Sequence, residues 1–131
     1  MKVLALDYGS ARTGVAVSDP TATLARPLDV VENVSTPAGL EQLVEVIERE
    51  EVDRIVVGLP VTLRGERGAQ AEETEGFVSA LRGITDVPIE TFDERFTTKL
   101  AEAEPSDAPP DAVAAAHLLS TYLEWKSALP S

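Results

Sequence analysis

The run RIVVGLP at 54–60 constrains the fold more than any other part of the chain. It is apolar over consecutive positions, where a strand with one wet face would alternate, so both of its faces must be covered. Strands of that kind sit in parallel sheets flanked by helices, and the neighbouring segments read accordingly. Before the run, STPAGLEQLVEVIERE offers Ser and Thr as caps and Pro37 in the first turn, and carries Leu40, Leu43, Val44 and Ile47 at helical spacing. After it, residues 69–82 give a second helix with Thr74, Phe77, Val78 and Leu81 inward. PIETF (88–92) is a further strand, and PPDAVAAAHLLSTYLEW is a last helix opened by prolines. Upstream, KVLALD (2–7) is β-rich, TGVAVSD (13–19) alternates after a tight glycine turn, and LDVVE (28–32) completes an antiparallel meander. The order is βββαβαβα, an α/β arrangement.

A chain of 131 residues, 44% of them hydrophobic, fits a single domain spanning 1–131 with a proper core. The absence of cysteine excludes disulfides and thiolate metal sites, and a lone histidine argues against a zinc centre. Any metal would be held by carboxylates, which favours Mg²⁺ or Mn²⁺. With no apolar run of membrane-spanning length and no signal-peptide pattern at the N-terminus, the expectation is a cytoplasmic protein without a membrane partner.

The net charge of −12 opposes a general electrostatic grip on nucleic acid. Its distribution weakens that objection. Much of the acid lies in the helical stretches GLEQLVEVIEREEVD and AQAEETEGF, where a solvated face accounts for it. Arg12, Arg64, Arg67, Arg95 and Lys99 instead fall in or beside predicted loops, where they could bind a phosphate-bearing substrate.

Acidic residues at three places each have an ordinary explanation. Asp7 ends an apolar strand, where its side chain can cap the following turn. Asp93 and Glu94 follow the last strand in TFDERFTTKLAEAE and fit a helix start or an ion pair with Arg95. Asp111 stands in the first turn of the last helix, where a carboxylate complements the helix dipole. Helical steps from Asp111 reach Ala114, Ala115, Leu118, Tyr122 and Trp125, so it is expected on the apolar face, toward the sheet. One arrangement explains all three places together: carboxylates converging at a sheet edge around a divalent cation, whose charge offsets their mutual repulsion. Such a cation activates water and stabilises the charge that builds on a phosphate during displacement. The loop GLPVTLRGERGAQA, between a strand and a helix N-terminus, suits phosphate binding through backbone N–H groups and Arg64 or Arg67, or else is a plain surface loop. Phe92 and Phe96 read as core and His117 as an ordinary helix residue.

LALDYGSARTGVAVSD, IVVGLPVTLRGERGAQA, PIETFDERFTT and DAVAAAHLLSTYLE resemble, in order and spacing, the signature segments of the YqgF/RuvX family. That family comprises RNase H-like proteins related to Holliday junction resolvases and implicated in maturing pre-16S rRNA. The resemblance implies an RNase H-like fold: a five-stranded mixed sheet of order 3-2-1-4-5, strand 2 antiparallel to the rest, flanked by helices. It also implies that Asp7 and Asp111 are metal ligands. Related resolvases carry a glutamate at the end of strand four, where this chain has Gly58, Leu59 and Pro60. The second ligand would then be Glu94 or Asp93.

The leading expectation is a metal-dependent nuclease acting on structured RNA, a ribosomal RNA precursor or precursor particle, as monomer or homodimer. The alternatives are a resolvase of branched DNA, which needs two sites in a dimer, and a non-catalytic module binding RNA or protein. A phosphotransferase of the same superfamily would need a second lobe for which 131 residues leave no room.

Overall fold

In the computed structural model, which describes residues 1–60, 68–93 and 107–129, the chain forms eight elements. They are β1 (Val3–Asp7), β2 (Arg12–Ser18), β3 (Ala25–Glu32), α1 (Pro37–Glu50), β4 (Arg54–Leu59), α2 (Ala69–Arg82), β5 (Ile89–Asp93) and α3 (Pro110–Ala128). The sheet order is β3-β2-β1-β4-β5. β1, β4 and β5 pair in parallel, and β2 runs antiparallel to both of its neighbours. This is the arrangement that the resemblance implied.

Strand alternation builds two cores from one sheet. Leu4, Leu6, Val15, Val17, Ile55 and Val57 face α1 and α2, against Leu43, Val46, Ile47, Phe77, Val78 and Leu81. Val3, Ala5, Ala16, Val56 and Phe92 face the other way, against Ala115, Leu118, Leu119 and Tyr122 of α3. β4 contributes to both cores, which is why its sequence is apolar without alternation. At the end of the sheet where β1 begins, Tyr122 donates a hydrogen bond to Glu90, which also takes Arg54 Nη1 at 3.4 Å. Burial, reinforced by the neighbouring Glu90, pushes the Tyr122 phenol up to about 12 and keeps it a donor.

Apart from strand ends displaced by one residue, the elements differ from the sequence reading in β3 and α3. β3 begins at Ala25 instead of 28 and so includes Pro27. Proline cannot donate to a ladder, but β3 is an edge strand, and the pairing shifts register between Val15 and Ala16 where Pro27 is accommodated. The buried stripe of α3 is Ala112, Ala115, Leu118, Leu119, Tyr122 and Leu123, so Ala114 is exposed and not inward. Trp125 sits at the margin, 42% exposed, with its ring 5.4 Å from that of Phe92.

What fixes α3 against the sheet is the absence of a side chain. A Cβ built on Gly14 of β2 would stand 1.8 Å from the carbonyl oxygen of Asp111 and 3.1 Å from the nitrogen of Ala112, both backbone atoms. Only glycine lets the first turn of α3 lie this close. Gly14→Ala is expected to destabilise by about 3 kcal/mol, near the top of the usual overpacking range, and to lower Tm by roughly 10 °C. Gly76→Ala, in α2 with nothing near its missing Cβ, should instead stabilise by about 0.5–1 kcal/mol. Thermal unfolding of the two variants checks both signs.

Candidate active site

Asp7 closes β1 and shares the parity of Val3 and Ala5, so it belongs to the face covered by α3. Its antiparallel partner is Gly14, the residue on which the Asp111 backbone rests. One rung of the sheet thus places the strand carboxylate and the carboxylate of α3's first turn at the same end and on the same face. Arg12, two residues before Gly14, completes this corner: its Nε lies 3.3 Å from Asp111 Oδ2. The Asp111 side chain is 38% exposed, at the border of the buried stripe of α3 and not within it.

Asp93 ends β5 in register with Leu59 of β4. Phe92 before it packs edge-on to Tyr122 on the α3 side, at 5.5 Å and 86°. By alternation Asp93 has the parity of Ile89, which belongs to the core on the α1 and α2 side. Glu94, Arg64, Arg67, Arg95 and Lys99 lie outside the described residues, so of the expected basic border only Arg12 is placed. Among the described residues no group of three or more His, Asp or Glu side chains is arranged to hold a metal. Asp7 and Asp111 do supply oxygen donors suited to a hard cation such as Mg²⁺ or Mn²⁺.

A cleft of about 160 Å³ adjoins this corner on the α2 side, with Asp7, Tyr8, Ser10, Gln70 and Glu73 in its wall. The Tyr8 ring stacks on Phe77 at 4.8 Å. Its hydroxyl donates to Glu73 Oε1 at 3.0 Å and lies 3.2 Å from Ser35 Oγ. Burial raises the Tyr8 phenol above its ordinary value; the Ser35 contact opposes this and the nearby Glu73 adds to it. The sequence reading passed over Tyr8 and Glu73, which are 65 positions apart. One signal was available: Ala71, Thr74 and Phe77 continue the inward stripe of α2 to its first turn, and Glu73 borders that stripe.

The family model described as "RuvX: Holliday junction resolvase" matches residues 1–125. The chain belongs to the RuvX family. A Chloroflexus aurantiacus protein provisionally named pre-16S rRNA nuclease is 39% identical, the match covering 98% of this chain and 90% of that protein. A Rubrobacter xylanophilus protein of the same name is 45% identical, covering 94% and 92%. Among solved structures, the Thermus thermophilus RuvC in complex with Holliday junction substrate aligns with TM-score 0.63 at 18% identity, over 98% of this chain and 96% of that one. The fowlpox virus resolvase in complex with Holliday junction DNA gives 0.51 at 10%, over 97% and 96%. These two likenesses establish a RuvC-like fold for this RuvX member.

The Arg12 and Asp111 pair is solvent-exposed, Arg12 at 65%, and such pairs contribute about 0–1 kcal/mol. Arg12→Ala is therefore expected to change unfolding free energy by about 0.5 kcal/mol or less, as read by urea denaturation. A larger loss would mark Arg12 as a structural tie of α3.

Proposed function

We propose that the chain is a metal-dependent nuclease that hydrolyses phosphodiester bonds in structured RNA, with precursor 16S rRNA as its substrate. What supports this reading is that Gly14 pairs with Asp7 and carries the backbone of Asp111, in a member of the RuvX family. The name shared by the Chloroflexus and Rubrobacter relatives supplies the substrate class. Cytoplasmic action accords with that substrate, and no described helix is long and apolar enough to cross a membrane.

In this reading Asp7, Asp111 and Glu94 hold Mg²⁺ or Mn²⁺. Glu94 is preferred to Asp93 because Asp93 has the parity of the opposite face. The cation, when bound, supplies a Lewis acid for the attacking water and the reacting phosphate. The chain's own residues do the rest. Asp7 is fixed by the pairing of β1 with strands on both sides, and Asp111 by the packing of α3 on Gly14, so the two carboxylates need little reorganisation. Arg12 presents an exposed guanidinium beside Asp111, able to take two phosphate oxygens in bidentate fashion. Arg64, Arg67, Arg95 and Lys99 would extend that basic border along the substrate backbone.

A second reading, a resolvase of branched DNA, is favoured by the description of the matching family model. It requires a dimer presenting two sites to the junction.

Asp7→Asn keeps the side chain's size and removes its charge. Cleavage of a structured RNA in saturating Mn²⁺ should then fall by about a hundredfold or more, beyond what loss of a supporting residue around a metal costs. Tm in metal-free buffer should hold or rise, since a repulsion between neighbouring carboxylates is relieved. Equal cleavage by the two proteins would remove the nuclease reading in favour of a binding module. Exclusive cleavage of four-way DNA junctions would establish the second reading.

A further inference from the structure

The cleft between the end of β1 and the first turns of α2 is not used by the chemistry described so far. Its walls determine what can enter. Glu73 presents a carboxylate, which only accepts hydrogen bonds when ionised, and Ser10 and Gln70 can both donate and accept; Asp7 borders the cleft from the end of β1. A phosphate placed against the Glu73 carboxylate would be repelled. A base would need an aromatic face to stack on, and the aromatic residue in the wall, Tyr8, already stacks on Phe77 at 4.8 Å. The volume of about 160 Å³ is on the scale of a single sugar ring. The group that satisfies these walls is small, neutral and rich in hydroxyls.

We propose that this cleft is a ribose subsite, in which Glu73, held in place by the Tyr8 hydroxyl, accepts a hydrogen bond from the 2′-hydroxyl of a nucleotide next to the cleaved bond. The proposal rests on the nuclease reading for its choice of polymer. Asp7 stands both in the cleft wall and at the carboxylate edge, so a sugar seated in the cleft adjoins the phosphate being attacked. Tyr8 engages Oε1 of Glu73 at 3.0 Å, and a carboxylate has acceptor sites on both oxygens, so the tie fixes Glu73 without using up its capacity. Tyr8 is thus a positioning residue and Glu73 the specificity-determining one. The 2′-hydroxyl is the group by which a protein distinguishes RNA from DNA at a given site. A deoxyribose here would leave Glu73 facing the sugar without a donor.

The test is a set of fluorescein-labelled RNA stem-loops, identical except that one nucleotide at a time carries 2′-deoxyribose. Binding is measured by anisotropy with Ca²⁺ in place of Mn²⁺ so that the strand is not cut. The wild type should bind one member of the set about tenfold more weakly than the all-ribose parent, the worth of one hydrogen bond to a charged acceptor. Glu73→Ala should bind that member and the parent equally, and Glu73→Gln, whose amide oxygen still accepts, should restore part of the difference. Tyr8→Phe should give an intermediate difference. Glu73 is exposed, and melting of each variant confirms folding. Uniform binding across the set by the wild type, or a position-specific loss that survives Glu73→Ala, would overturn the subsite. Absence of cleavage in Mn²⁺ alongside a Glu73-dependent ribose preference would overturn the nuclease reading alone and leave the subsite standing.

Discussion

The contact of Gly14 with the backbone of Asp111 is the constraint on which the rest of the site depends. Helix α3 has few charges and a broad buried stripe, so the hydrophobic effect alone would let it slide on the sheet at small cost. Gly14 removes that freedom at one point. Without a Cβ the strand admits the carbonyl of Asp111 into space that a side chain would fill, and the first turn of the helix is set down at the end of β1. Ala112, fully buried beside the contact, completes the close approach with a residue too small to prop the helix away. The placement of Asp111 near Asp7 is therefore a consequence of backbone packing and does not depend on attraction between side chains that would repel each other.

That logic also reconciles an acidic protein with a phosphate-bearing substrate. The many glutamates of α1 and α2 occupy solvated positions, and several cations are spent locally: Lys2, Arg26 and Arg49 all surround Glu50. Arg12 is different, because the carboxylate it meets belongs to the candidate site. A cation that offsets Asp111 in the free protein and can turn to a phosphate when substrate arrives suits a site whose own charge has the wrong sign for its ligand.

The fold was legible because its signals were long and consistent. The unbroken apolar run of β4 demanded cover on both faces, and Thr74, Phe77, Val78 and Leu81 of α2 are buried as their spacing required. Legibility failed where the signal was local and the answer tertiary. The third strand, expected at 28–32, reaches back through Pro27 to Ala25, which its edge position tolerates. Alanines at 112 and 114–116 carry too little hydrophobic contrast to set a helical phase, which Gly14 sets instead. Asp7 and Asp111 stood out as acids in apolar surroundings, whereas the choice between Asp93 and Glu94 turns on the parity of a strand whose end is displaced by one residue from its expected place. Tyr8 and Glu73 meet only in three dimensions, and Tyr8 beside an aspartate and a glycine carries no sign of its partner.

The central claim is that Asp7 and Asp111 act as one cation site, and thermal unfolding with and without Mn²⁺ tests it without reference to any substrate. A cation that binds only the folded chain stabilises it by about 2.7 kcal/mol at a hundredfold excess over its dissociation constant, a rise of roughly 10 °C for a domain of this size. The account predicts that rise for the wild type and its loss in both Asp7→Asn and Asp111→Asn, with the double variant no different from either. An undiminished Mn²⁺ shift in either single variant would contradict it.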